Sequence, residues 1–208
     1  MKKISIVDFE GGNLFSVVQA CNTLGFNVSV TSSYKEILKS DGLILPGVGS
    51  YPHAMKVLNK KDLVSPIQDF INSEKPFMGI CLGFQLLFSN SEEFENCDGL
   101  NIIKGSVKKF NFKEKNIKVP NIGWNKIYSN SDWKKTPLEN IKNNEYMYFV
   151  HSYYVDPIDI NDILSYSKYE GFEYCSSVKK NNIFATQFHP EKSGLEGIKI
   201  YKKWSKLL

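Results

Sequence analysis

Cysteine is scarce in this chain: Cys21, Cys81, Cys97 and Cys175 are the only four in 208 residues, and none belongs to a close pair. That excludes a disulfide scaffold and a paired zinc motif, and it favours a reducing compartment. Three dispersed histidines give no ligand cluster, so no metal and no cofactor is expected. Long apolar runs are missing as well. The start, Met-Lys-Lys-Ile-Ser-Ile-Val-Asp, holds a short apolar stretch that ends at an acid, too short for a signal peptide or a membrane span. A cytoplasmic location away from any membrane is the expectation. Charge of one sign is also lacking, since 26 basic residues face 22 acidic ones for a net charge of +4. Lys108-Lys109 and Lys179-Lys180 read as solvated surface, and without an aromatic and basic module no nucleic acid is expected as a partner. No internal repeat, low-complexity tract or heptad array occurs. At this length one domain over 1–208 with its own core is the natural reading.

What is present is an alternation of short apolar runs with amphipathic stretches. Residues 4–7 read as a buried strand followed by a glycine-bearing turn over 8–13. Leu14, Val17, Val18, Cys21 and Leu24 recur at helical spacing, and Gly25 supplies a stop. Strands are expected at 28–30, 43–45 and 77–80, with helices at 34–39 and at 66–71, the latter capped by Ser65. Shorter strands follow at 100–103 and 106–110. A lysine-rich connection over 111–118 then leads to a rigid turn over 120–125. Residues 146–150 and 183–188 look like core strands that run toward a histidine, and 198–208 like an amphipathic terminal helix. The pattern predicts an α/β, three-layer fold: a mostly parallel central sheet, helices on both faces and an added small antiparallel sheet.

Three segments carry chemistry. In Gly79-Ile80-Cys81-Leu82-Gly83-Phe84-Gln85 an apolar strand runs into a cysteine flanked by glycines, which permits a tight strand-to-helix elbow. Such a bend holds the thiol outward, and the following backbone N–H groups and helix start favour a thiolate and an oxyanion. An inert core cysteine fits the same local pattern. In Gln187-Phe188-His189-Pro190-Glu191 an extended backbone would set His189 and Glu191 on one side, roughly 6.6 Å apart, near enough for the carboxylate to orient the imidazole. A surface turn explains that segment equally well. Pro46-Gly47-Val48-Gly49 ends the strand at 43–45 and could bring backbone amides to a substrate carbonyl, or could be a simple tight turn.

Taken in order, these segments resemble the class I glutamine amidotransferases, and more closely the glutaminase subunits of imidazole glycerol phosphate synthase. Carrying the resemblance are Gly11-Gly12-Asn13-Leu14 with Ser16-Val17, Pro46-Gly47-Val48-Gly49-Ser50 with Ala54-Met55, the stretch 79–87, Pro120 with Gly123-Trp124-Asn125, Tyr148-Phe149-Val150-His151-Ser152-Tyr153, and the stretch 187–194. They span nearly the whole chain. Glu10, Tyr51 and Phe84 depart from the family's usual residues without removing a reacting atom.

The resemblance implies Cys81 as nucleophile, His189 as base and then acid, and Glu191 as the group that orients the histidine. It implies the N–H groups of Gly49 and Leu82 as oxyanion donors, with the Val48 peptide as a regulator of that site. Gln85, His151, Ser152 and Tyr153 would hold the α-amino and α-carboxylate end of L-glutamine. Asn13, Ser16, Trp124, Tyr148 and Lys192 match positions facing a cyclase subunit of β/α-barrel fold, which would form a heterodimer with this chain and receive its ammonia for imidazole glycerol phosphate formation. The glutaminase half of a surface-sugar amidotransferase, a different cysteine hydrolase and a noncatalytic partner-binding regulator remain as alternatives.

Overall fold

The computed structural model describes residues 2–94, 96–111, 118–129 and 131–208. Most of the connection foreseen over 111–118 therefore lies outside the described residues. The first half alternates strand and helix: β1 (Lys3–Val7), α1 (Leu14–Thr23), β2 (Asn27–Thr31), α2 (Tyr34–Lys39), β3 (Gly42–Leu45), α3 (Tyr51–Lys60), α4 (Val64–Asn72), β4 (Phe77–Ile80) and α5 (Leu82–Gln85). Strands dominate the second half: β5 (Phe88–Ser91), β6 (Cys97–Asp98), β7 (Ile103–Lys109), β8 (Asn121–Tyr128), β9 (Glu145–His151), β10 (Tyr153–Pro157), β11 (Ile163–Tyr169), β12 (Phe172–Lys180) and β13 (Ile183–Thr186), before α6 (Gly194–Trp204).

The central strands run β2-β1-β3-β4-β13, all parallel, and β12 then pairs antiparallel with β13. From β12 the sheet continues through β10 and β7, while β11, β8 and β9 branch from it as an antiparallel extension. The expected parallel centre and antiparallel addition are thus joined edge to edge. Runs such as Leu43-Ile44-Leu45 are apolar throughout because both faces of the parallel sheet are covered. Side chains alternate across the pleat. Ile4, Ile6, Ile44, Met78 and Ile80 pack with Val17, Cys21, Ile200, Tyr201 and Trp204 from α1 and α6. Val7, Leu43, Leu45 and Phe77 face the opposite way, toward Leu58, Ile67 and Phe70 from α3 and α4.

Several local expectations change. Ser65 does not cap α4, which starts at Val64 after Leu63; its hydroxyl sits 3.4 Å from Asp69 Oδ2 inside the helix. Residues 100–102 form no strand, because the N–H groups of Leu100, Asn101 and Ile102 bond to the carbonyls of Leu86, Phe88 and Leu87 in a loop. The segment expected as a turn over 120–125 opens β8, where Asn121 pairs with His151 and Trp124 with Tyr148. The terminal helix begins at Gly194 rather than 198. Helix α3, with Tyr51, Ala54, Met55 and Leu58 buried, was not foreseen, and neither was β5.

Because β1, β3, β4 and β13 are parallel, their carboxyl ends share one edge, and the segments that follow them meet there. Open α/β sheets form their ligand crevices at such an edge.

Candidate active site

Cys81 occupies the bend between β4 and α5 with φ 53° and ψ −108°, a left-handed conformation that costs a non-glycine residue energy and is kept where the surroundings enforce it. Its neighbours do so. A Cβ on Gly83 would lie 1.9 Å from the Leu45 carbonyl oxygen, so only glycine lets β3 close on the elbow, and one on Gly79 would press on Ala185 Cβ of β13 at 3.1 Å. The Cys81 N–H bonds to the Thr186 carbonyl at 2.8 Å, tying the elbow to the strand that delivers the histidine. Helix α5 is a single four-residue turn, so a helix dipole contributes little to the thiol, contrary to the expectation from sequence.

His189 lies beyond the end of β13 with extended backbone, and its N–H bonds to the Tyr148 carbonyl at 2.9 Å. Glu191 is not on extended chain as predicted. It sits in the 3₁₀ turn Pro190–Lys192, which folds the carboxylate back until Oε1 is 2.7 Å from His189 Nδ1. Both side chains are almost wholly buried. Burial alone would push the His189 imidazole down, but the hydrogen-bonded Cys81 sulfur and the Glu191 carboxylate outweigh it and raise its pKa to about 10. At neutral pH the His189 imidazole therefore carries a proton beside the Cys81 sulfur. Gln187 Nε2 approaches Cys81 Sγ to 3.7 Å, and the Val150 carbonyl lies at the same distance.

Around the sulfur is a cavity of about 310 Å³ lined by Val48, Gly49, Leu82, Gln85, His151, Ser152, Tyr153, His189 and Lys192. The residues singled out from the sequence as catalytic, oxyanion, regulatory and substrate-holding therefore share one cavity, apart from Glu191, which is joined to it through His189. Asn13, Ser16, Trp124 and Tyr148 lie outside it. Asn13 caps α1 by accepting from the Ser16 N–H at 3.5 Å, and Trp124 packs edge-on against Tyr148 with ring centroids 5.8 Å apart.

The Gly47–Val48 peptide has both ends engaged. Val48 N–H bonds to the Gly11 carbonyl at 2.7 Å, and the Gly47 carbonyl accepts from Leu82 N–H at 3.3 Å. In this arrangement the Leu82 donor is occupied and the Val48 donor points to the loop after β1. Gly49, with φ +100°, supplies the conformational freedom beside it.

Gln85 is held from two sides, its Nε2 donating to the Tyr153 carbonyl at 3.1 Å and to Gln187 Oε1 at 2.9 Å, which leaves its Oε1 as the group that can accept from a ligand. His151 is also committed. Nδ1 is 2.8 Å from the Tyr153 carbonyl, and Nε2 lies 3.1 Å from Asn121 Nδ2 and 3.3 Å from the Tyr174 hydroxyl. Burial lowers its pKa to about 4, so it is neutral at physiological pH and has no spare nitrogen for a ligand's carboxylate.

Two residues at the site were missed from the sequence. Glu93 lines the wall and accepts the Tyr51 N–H at the start of α3 at 2.7 Å, and burial raises its carboxyl pKa. No local pattern in Ser-Glu-Glu-Phe points to it. Gln187 stands in the histidine motif itself, directly after β13, and its place before an apolar residue at a buried strand end was the available signal.

A strained cysteine at a strand end, a charged histidine and a buried carboxylate around one crevice define a cysteine-dependent hydrolase site of the amidotransferase kind, and the chain belongs to the class-I glutamine amidotransferases, whose family description matches residues 5–204. Solved structures share the fold: PurLQS from Thermotoga maritima has a TM-score of 0.75 at 21% identity, covering 99% of both chains. A glutamine amidotransferase structure gives 0.73 at 14% identity, covering 98% of this chain and 97% of the other. Within the class it belongs to the HisH family of imidazole glycerol phosphate synthase subunits. It is 43% identical to subunit HisH of Bacillus cereus (strain B4264), over 97% of this chain and 93% of that one. To subunit HisH 1 of Methanococcus maripaludis it is also 43% identical, over 99% of this chain and 100% of that one.

Proposed function

We propose that this chain, acting as one amidotransferase domain over 1–208, hydrolyses L-glutamine at Cys81 and hands the ammonia to a synthase subunit for imidazole glycerol phosphate formation in histidine biosynthesis. The carrying observation is that Cys81 and His189 meet on the wall of one cavity while Glu191 holds the other ring nitrogen of His189. Cys81 attacks the side-chain amide carbon, the His189 imidazolium protonates the departing nitrogen, and ammonia leaves a glutamyl thioester. Neutral His189 then takes a proton from water, which hydrolyses the thioester and regenerates the thiol. Glu191 keeps the imidazole in register through both steps. The α-ammonium of glutamine fits the Gln85 Oε1 and Glu93 carboxylate, and Ser152 and Tyr153, which also line the cavity, are assigned to its carboxylate end.

The oxyanion needs donors that are engaged in the resting arrangement. Turning the Gly47–Val48 peptide frees Leu82 N–H and swings the Val48 N–H toward the cavity beside the Gly49 N–H expected as donor, so docking of a partner that reorients this loop raises turnover. The docking face is the outward side of β8 and β9, where Ile122, Trp124 and Tyr146 are exposed beside the cavity wall at Val150. We assign Asn13, Ser16, Tyr148 and Lys192 to the same contact. A β/α-barrel subunit seated there receives ammonia before solvent protonates it.

Coexpression with a barrel cyclase, followed by assays of product formation from glutamine and separately from ammonia, tests this reading. Cys81→Ser should abolish the glutamine-dependent reaction and leave the ammonia-dependent one intact. Glutamine-dependent product from the serine variant would overturn it.

A further inference from the structure

The turn that carries the catalytic pair has an inner side that the reaction as described does not use. Glu191 commits Oε1 to His189, while Oε2 is buried and has no hydrogen-bond partner among the described residues. The hydroxyl of Tyr201 is in the same condition, fully buried and unpartnered. An acceptor and a donor that have both lost water are costly to bury apart and stabilising to bury together.

The two belong to elements in close contact. Helix α6 packs on the Pro190–Lys192 turn so tightly that a Cβ on Gly197 would lie 1.8 Å from the Pro190 carbonyl oxygen. Tyr201 follows Gly197 by four residues, on the same helix face. Burial first, and the Glu191 charge second, raise the Tyr201 phenol well above its ordinary pKa. Cys21 on α1 is likewise raised, to about 12, by burial and then by Glu191, so it is a neutral thiol. Of the elements packed against the turn, α1 thus brings Cys21 and α6 brings Tyr201. The strand β9 adds Tyr148, whose carbonyl holds the His189 N–H. Charged groups on α6 are engaged elsewhere, Lys199 with Glu196 and Lys203 with Glu139, and Lys202 is exposed. On the turn itself, His189 faces Oε1 and Lys192 faces the cavity.

We propose that Tyr201 is a positioning residue for glutamine hydrolysis: its phenol O–H donates across one buried water to Glu191 Oε2 and keeps the carboxylate aimed at His189. This rests on the triad reading above. Tyr201 touches no substrate. It acts on the imidazole through the carboxylate, as outer hydrogen bonds fix a histidine ligand elsewhere.

The test is the pH dependence of glutamine turnover by the full chain. Tyr201→Phe should lower kcat/KM by about tenfold with KM unchanged. Losing the donor loosens the carboxylate that orients His189, so the acid limb of the profile should move up by about one pH unit. In a Glu191→Gln background the same substitution should have no further effect. Replacing residue 201 with 3-fluorotyrosine, a stronger donor of nearly equal shape, should move the limb the other way and guards against a folding defect in the phenylalanine variant. Trp204→Phe removes another unpartnered buried group, packed at Gly42 on the far end of the sheet, and should leave the limb in place. An acid limb unmoved by either change at 201, or an equal loss in the Glu191→Gln background, overturns the proposal. Undiminished turnover by Glu191→Gln alone would instead overturn the triad reading.

Discussion

His151 and His189 stand on the wall of the same cavity, both nearly inaccessible to solvent, yet they differ in charge. His151 closes β9 among neutral partners: a backbone carbonyl, the Asn121 amide and the Tyr174 hydroxyl. His189 closes the segment after β13 between a sulfur and a carboxylate. The desolvation that disfavours a proton is present at both. At His151 the bond to the Tyr153 carbonyl offsets it only in part and the charge of His189 adds to it, so the pKa falls to about 4; at His189 the Cys81 sulfur and the Glu191 carboxylate outweigh it and the pKa rises to about 10. Burial therefore does not identify a catalytic histidine, and the sign of what surrounds it does.

Removing these partners should collapse the difference. Cys81→Ser deletes the nucleophilic sulfur, so glutamine hydrolysis should fall by about four orders of magnitude or more. NMR of ring-labelled histidine should then show the His189 midpoint dropping from about 10 toward that of an ordinary imidazole. A midpoint that stays near 10 would mean that the sulfur is not its main partner. Glu191→Gln keeps shape and a hydrogen bond but removes charge. Turnover should fall by about a thousandfold, and the midpoint should fall less than in the serine variant, since the carboxylate contributes less than the sulfur.

That contrast also separates what could be read in the sequence from what could not. The elbow was legible because its requirements are local: an apolar strand, a cysteine and glycines where β3 and β13 press on the bend. The parallel centre was legible for the same reason, since a strand covered on both faces is apolar at every position. Helix α3 was hidden by its neighbours, as Pro46-Gly47-Val48-Gly49-Ser50 masks a helix whose buried face starts at Tyr51. The strand β8 opens at Asn121 beside Pro120, and glycine and asparagine there suggested a turn until the pairing with β9 overrode them. Glu93 was illegible because its value to the cavity comes from contacts with Tyr51 across the fold. The resting state of the Gly47–Val48 peptide is of this kind too: its two bonds reach Gly11 and Leu82, far apart in sequence.

The smallest effect on turnover should come from His151 itself, and it sharpens the comparison most. With both ring nitrogens committed to the protein, His151→Gln should change kcat by no more than about tenfold. Its signature is in stability. The unfolded chain binds a proton at this residue near pH 6.5 while the folded chain refuses it until about pH 4, so folding loses free energy as pH falls through that window and the loss levels off below it. The full loss amounts to about 3 kcal/mol. His189 behaves in the opposite sense: its folded-state pKa is raised, so its contribution is complete below about pH 6.5 and disappears as pH rises through about 10. The two windows do not overlap. Urea unfolding at pH 7 and pH 4.5 should therefore show a smaller acid loss in His151→Gln than in the parent chain, with the alkaline limb unchanged. Equal acid losses in both proteins would mean that His151 carries a proton in the folded chain and that the two histidines differ less than their surroundings imply.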